Sequence, residues 1–245
     1  MSLEKQIYDK MSHLPAARTP HFNIYYYQGG VAEKEIDTIK TQREVAYEKI
    51  AEYLGFTEDL KMDLYLFEDE NTKAEVTGYI GAGLAYGKCM AEVYNAQCKL
   101  NPYHELVHII AGYMYGDSVS AMAEGLAVYL TNNLNDMQVC SYDMDEVNGA
   151  YDEKVREFKQ SGELFALKDL LSLSIGTEES KPDISYRQAA SLVEFTIKAI
   201  GKHNFFNLYA SLSSADINDA IEKIETAYKQ KIEDIEKQWL EYVIK

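Results

Sequence analysis

The sequence predicts an α+β fold: a small mixed sheet-and-helix lobe over residues 1–98, then a mostly helical lobe over 99–245, together forming one unit. Three observations carry this reading. Runs of β-branched and aromatic residues with period-two alternation lie only before residue 99. Apolar residues at helical spacing fill nearly everything after it. No linker, repeat or low-complexity tract separates the two stretches, so strands come first and helices follow. The 245 residues, 47 % hydrophobic and 12 % aromatic, supply enough apolar material for a sizeable core.

Taken in order, residues 21–27 (HFNIYYY) read as a strand stopped by Gly29-Gly30. Residues 31–54 space Ile36, Ile39, Val45, Ala46, Ile50 and Leu54 between charges, an amphipathic helix ended by Gly55. Residues 61–69 alternate Met62, Leu64 and Leu66 against Asp63, Tyr65 and Phe67, a second strand. Residues 78–95 (GYIGAGLAYGKCMAEVYN) are apolar and punctuated by glycine, a hairpin or two strands. Helices are expected over 101–115, 120–134, 146–160, 164–173, 186–200, 203–212, 215–227 and 229–243. In the last two, Ile221, Ile224, Ile232, Ile235, Trp239 and Val243 mark core-facing sides.

Charge narrows the function. With 24 basic and 40 acidic residues the net charge is −16, which excludes a nucleic-acid binder and disfavours anionic membrane surfaces. No run approaches the roughly 20 apolar residues of a membrane span. The N-terminal MSLEKQIYDKM lacks the apolar core of a secretory signal, and Cys89, Cys98 and Cys140 form no CxxC pair. A cytoplasmic location with reduced thiols is therefore expected, although Ser2-Leu3 is compatible with a cloning scar in place of a removed leader.

The chemistry concentrates in His104-Glu105-Leu106-Val107-His108, an H-E-x-x-H motif in a helical context that Asn101 can cap and Pro102 can open. Four-residue spacing puts both imidazoles on one helix face, where both reach one zinc ion. Glu105, rotated about 100° away, can lie beside a metal-activated water without ligating the metal. A third ligand is required. The helix ends at Gly116, Asp117-Ser118 mark a turn, and Ser120 can cap a second helix whose start carries Glu124 among Ala123, Leu126, Ala127 and Val128. An acid in that setting needs a cation or a strong donor, and a helix–turn–helix folding back would bring it toward the two histidines.

These residues carry a resemblance. HELVH followed after fifteen residues by Glu124 is similar to the gluzincin metallopeptidases, whose zinc is held by two His and a Glu from the next helix. Glu124-Gly125-Leu126-Ala127-Val128-Tyr129 resembles the E-G-[FL]-A-x-Y segment of the aminopeptidase N family and of peptidase MA-like domains, and Gly112 matches a glycine kept there. Residues 186–193 (YRQAASLV) resemble the segment Y-x-[KQ]-[AG]-x-x-x-[FV], whose tyrosine assists catalysis; residues 216–243 resemble the terminal helices of peptidase MA-like domains. The resemblance implies a zincin fold with its zinc cleft between the lobes, metal ligands His104, His108 and Glu124, Glu105 as general base, and Tyr186 as an oxyanion donor. Tyr129, Tyr142 and Tyr151 are rival donors. It also implies a substrate-accepting sheet edge over 78–95, for which a tight core hairpin is the equal alternative.

Departures limit the inference. The spacer is shorter than in aminopeptidase N, and no G-x-M-E-N segment anchors a free amine; Met90-Ala91-Glu92 does not match. Exopeptidase activity is not implied. Val128 stands where thermolysin-like enzymes carry an Asp, so the partner of the histidine rings is unidentified. GYIGAGLAYG lacks the dinucleotide-loop spacing, Asp143, Asp145 and Gly149 fail as a calcium loop, and His13, His21 and His203 read as surface or strand-end residues. The expected function is a zinc-dependent peptidase acting on peptide or protein substrates. Two alternatives are a non-catalytic binding module of the same fold and a zinc hydrolase of esters or epoxides. The oligomeric state is left open.

Overall fold

The computed structural model describes residues 2–134, 151–212 and 216–244. The chain divides into two compact units. Among the described residues one comprises 2–110 with Leu134, and the other comprises 111–133, 151–212 and 216–244. The division falls within the helix that carries the H-E-x-x-H motif.

The first unit is built on a five-stranded mixed sheet: β1 (Ala16–Arg18), β2 (Phe22–Tyr26), β3 (Met62–Phe67), β4 (Ala85–Tyr86) and β5 (Cys89–Val93), in the order β1-β2-β3-β5-β4. β2, β3 and β5 run parallel, and antiparallel β1 and β4 form the two edges. Parallel strands covered on both sides lose the alternating pattern, and every residue of β5 is buried. β4 and β5 make the antiparallel hairpin expected within 78–95, turning at Gly87, whose φ of +59° suits glycine.

The helices of this unit differ from the reading in two ways. The single helix expected over 31–54 is α2 (Val31–Lys34) and α3 (Ile36–Leu54), broken at Glu35. There the Glu35 carboxylate accepts from Lys99 Nζ (2.7 and 2.8 Å) and from Tyr94 Oη (2.7 Å). α1 (Leu3–Met11) and α4 (Glu70–Thr77) are additions, as is strand β1. α1 buries only Ile7 and Met11, one turn apart. α4 is set by its ends: Asp69 Oδ1 accepts from Thr72 N–H at 2.8 Å, and Gly78 closes it at φ +80°.

The second unit is helical. The end of α5 (His104–Tyr115) is followed by Gly116 at φ +78°, as expected of a C-cap. Then come α6 (Ser120–Leu134), α7 (Tyr151–Ser161), α8 (Leu167–Ser172), a 3₁₀ turn at Glu178–Ser180, α9 (Pro182–Ile200), α10 (Lys202–Ser211), α11 (Ile217–Tyr228) and α12 (Ile232–Ile244). α9 is the buried centre: Ala189, Ala190, Leu192 and Val193 are enclosed, and Ser191 Oγ accepts from the Nε1–H of wholly buried Trp239 at 3.2 Å. Ile224, Ile232, Ile235, Trp239 and Val243 face the core, with Ala220 rather than half-buried Ile221 completing the α11 face. Among the described residues no helix is long and apolar enough to cross a membrane. The calcium-like residues Asp143, Asp145 and Gly149, with Cys140 and Tyr142, lie outside the described residues.

Candidate metal centre

α5 begins at His104, three residues later than the motif's context predicts. Asn101 and Pro102 stay outside it, and Asn101 Oδ1 accepts from Tyr103 N–H at 2.8 Å in a turn that precedes the helix. The first helical bond then runs from Val107 N–H to Tyr103 O at 2.9 Å. His104 and His108 therefore stand one turn apart at the very start of the helix, with Nε2 atoms 3.3 Å from each other and rings inclined at 74°. A carboxylate oxygen of Glu124, on α6, completes the group: the three ligand atoms all lie within 4.8 Å of one another, and all three residues are half-buried.

The donor set fits zinc. Bonds of about 2.1 Å at a tetrahedral angle separate two ligand atoms by about 3.4 Å, close to the 3.3 Å between the two Nε2 atoms. Two imidazoles and one carboxylate also make the three-ligand set of sites that keep a fourth position open.

Glu124 owes its position to its neighbour. A methyl on Gly125 would fall 2.5 Å from Ala189 O and 2.8 Å from Val193 Cγ2, so only glycine lets α6 lie this close to α9. Tyr209 of α10, which sequence reasoning passed over, lies near enough to feel the acid. Burial raises its pKa first, and the charges of Glu124 and Asp117 add to that. Val128 is enclosed against Tyr151 and Ala190, an apolar role that accounts for an aliphatic residue at that position.

Glu105 sits beside two features that carry no local signal. The first is Gly83: a methyl there would fall 2.1 Å from Glu105 Oε1 and 2.9 Å from Leu100 Cδ1. The second is Lys73 of α4, whose side chain is wholly enclosed and donates to Tyr79 O at 3.4 Å. Burial pulls the Lys73 ammonium's pKa down, and the nearby charges of Glu105, Glu70 and Glu92 oppose it. Neither is legible in a polar stretch such as ENTKAEVT or in a run of small residues.

Tyr186 is placed differently from expectation. α9 starts at Pro182, so Tyr186 occupies its second turn rather than its first residue. Its ring packs with Tyr129 against Val128, Tyr151 and Ala190. Its hydroxyl lies 3.1 Å from where a methyl on Gly176 would stand. Of the rivals, Tyr151 donates its hydroxyl to Glu194 Oε2.

No family model matches the chain, and no characterised protein sequence matches it. Solved structures do. One is a variant of the M1 zinc metallopeptidase of Deinococcus radiodurans, 14 % identical over 92 % of this chain and 50 % of that one, with a TM-score of 0.47. Another is a two-domain M1 zinc metallopeptidase variant bound to L-tryptophan, 13 % identical over the same shares, with a TM-score of 0.50. The chain spans half the length of each. At these identities the likeness is one of fold: an α+β chain with a small mixed sheet followed by helices.

Proposed function

We propose that this protein is a zinc-dependent hydrolase of peptide bonds, with His104, His108 and Glu124 holding the metal. The observation that carries the reading is the convergence of two ring nitrogens 3.3 Å apart with one carboxylate oxygen, all three ligand atoms within 4.8 Å of one another. The description of the fold neighbours as zinc metallopeptidases supports the same chemistry.

When bound, zinc supplies Lewis-acid polarisation and lowers the pKa of water to about 7. Glu105, next to the first ligand and not of the ligand set, is the residue to take the water proton and return it to the leaving amine. Tyr186 is the proposed donor to the oxyanion that forms when water adds to the carbonyl.

The test joins metal content to turnover. The protein purified without chelator should carry one zinc per chain, and His104→Ala should lose it. Glu105→Gln should keep zinc and lose hydrolysis of a mixed peptide library by orders of magnitude, because an amide cannot accept the proton. Tyr186→Phe should keep both fold and metal and lose about 10²–10³ in kcat. Failure to bind zinc removes the metal reading. Zinc binding with turnover of ester or epoxide substrates alone leaves a different hydrolase, and zinc binding with no turnover at all leaves a binding module.

A further inference from the structure

Gly83 is not a glycine that its own backbone requires. Its φ is outside the left-handed region that Gly81 (+110°) and Gly87 (+59°) occupy, so an alanine could adopt the same conformation. What excludes a side chain is space, and the space is taken by the Glu105 carboxylate at 2.1 Å and the tip of Leu100 at 2.9 Å. One of the two sides must give way, and the strip that carries Gly83 is tied along its length. Ala82 O accepts from Val93 N–H (2.8 Å) and Leu84 O from Ala91 N–H (2.9 Å), fixing both neighbours of Gly83 to the buried strand β5.

The two ends of the strip are tied as well. Ahead of it, Tyr79 O accepts from Lys73 Nζ and Thr77 Oγ1, each at 3.4 Å, and Tyr79 N–H donates to Thr77 Oγ1 at 3.1 Å. Behind it, Glu4 of α1 reaches the hairpin turn, where its Oε1 accepts from Lys88 N–H at 2.8 Å. The Glu105 side chain, by contrast, has three rotatable bonds and ends at the contact.

We infer that Gly83 is a positioning residue for Glu105: the bare backbone of the edge strip defines how far the carboxylate reaches toward the sheet, and thereby where it stands beside the metal. The activity part of this inference rests on the peptidase reading; the contact itself does not. A methyl needs roughly 3.3 Å to a carboxylate oxygen, so Gly83→Ala displaces Glu105 by about 1 Å while leaving its chemistry untouched. A misplacement of that size costs about 10²-fold in rate.

The experiment measures Gly83→Ala beside the parent, with protein carrying ¹³C at glutamate carboxyl carbons. The Glu105 signal is assigned by its absence in Glu105→Gln. Expected are parent-like zinc content, a shifted Glu105 signal, and a kcat about 10²-fold lower with KM nearly unchanged. In the Glu105→Gln background, Gly83→Ala should cost nothing further, since both changes act through one group. An unmoved signal, an unchanged kcat, or full additivity with Glu105→Gln would overturn the assignment. If the parent hydrolyses no peptide, the peptidase reading fails on its own, and the carboxyl signal alone decides the contact. If Gly83→Ala sharply lowers thermal stability, Gly83→Ala with Leu100→Ala relieves the second contact and carries the same readouts. Instability of that pair too would mean that the strip yields rather than the carboxylate, and would likewise overturn it.

Discussion

Glu92 is wholly enclosed in β5, and burial is the strongest influence on it, raising its pKa against the pull of Arg43. Arg43, from α3, is nearly as buried: Nη1 donates to Glu92 Oε1 at 2.9 Å and to Pro102 O at 3.3 Å, while Nη2 donates to Glu92 Oε2. The bond to Pro102 joins the sheet and α3 to the residue two before α5, so this pair helps to fix where the helix of His104 and His108 begins. It also removes Glu92 from any role as an amine anchor, since both of its oxygens are occupied and out of reach of solvent. Two desolvated charges gain little net over an apolar pair, but removing one partner leaves the other uncompensated. Arg43→Met should cost about 3–5 kcal/mol. The loss should depend on pH in a known direction. Without Arg43, folded Glu92 holds its proton well above the ordinary carboxylate value of 4.5, so the folded state binds more protons than the unfolded one. Stability then falls as pH rises through that range. Urea unfolding near pH 5 and near pH 8 checks this, and an equal or smaller loss at the higher pH would contradict it.

Between elements, glycine separates contacts that matter from contacts that do not. Gly125 brings the backbone of α6 against Ala189 of α9, and an alanine there meets a carbonyl oxygen at 2.5 Å that no rotamer can move. Gly125→Ala should cost about 1–3 kcal/mol or more, lowering Tm by about 2–4 °C for each kcal/mol. Gly112, in the same motif region, has nothing within 4 Å of an added methyl and sits inside α5. Gly112→Ala should therefore stabilise by about 0.5–1 kcal/mol. Thermal unfolding of the two variants checks both signs. The same contrast explains what the sequence made legible. Spacing of four in HELVH and an acid in an apolar helix start are local patterns, and they pointed to the three side chains that the structure brings within 4.8 Å of one another. The strands β2, β3 and β5 were legible because apolar and aromatic residues crowd them. α1 and α4 were not: α1 buries only Ile7 and Met11, the two residues α4 buries are Lys73 and Thr77, and a buried Lys73 reads as surface charge. The break at Glu35 carries neither Gly nor Pro, and the partners of its side chain, Lys99 and Tyr94, lie far along the chain. Gly83 is constrained by Glu105 in the same way, across a distance that no window over the sequence can span.

At the scale of the whole molecule, a net charge of −16 opposes a fold that also relies on ionised carboxylates. Glu35 is held below its ordinary pKa by Lys99 first and Tyr94 next. Glu44 is pushed up by burial but brought below its ordinary value by Thr19 and His21, and Glu194 likewise by Lys198 and Tyr151. Each of these groups has a folded pKa below the unfolded value of 4.5, so the unfolded chain takes up protons first on acidification. Their contribution is complete above that value and is lost as pH falls through their lowered folded pKa values. Self-repulsion changes in the opposite sense: it is greatest at neutral and alkaline pH and fades as the charge approaches zero near pH 4.7. Stability should therefore peak at mildly acidic pH, decline gently toward pH 8, and fall steeply below pH 4.5. Added sodium chloride should raise the midpoint at pH 8, where like charges dominate, and do less near the peak, because screening acts on exposed charges and little on enclosed pairs such as Arg43 and Glu92. Thermal unfolding across pH at low and moderate salt distinguishes the two forces. A monotonic rise in stability to pH 8, or a midpoint there that falls on adding salt, would mean that specific ion pairs outweigh the net charge. Glu35→Gln would then be expected to reproduce much of that loss.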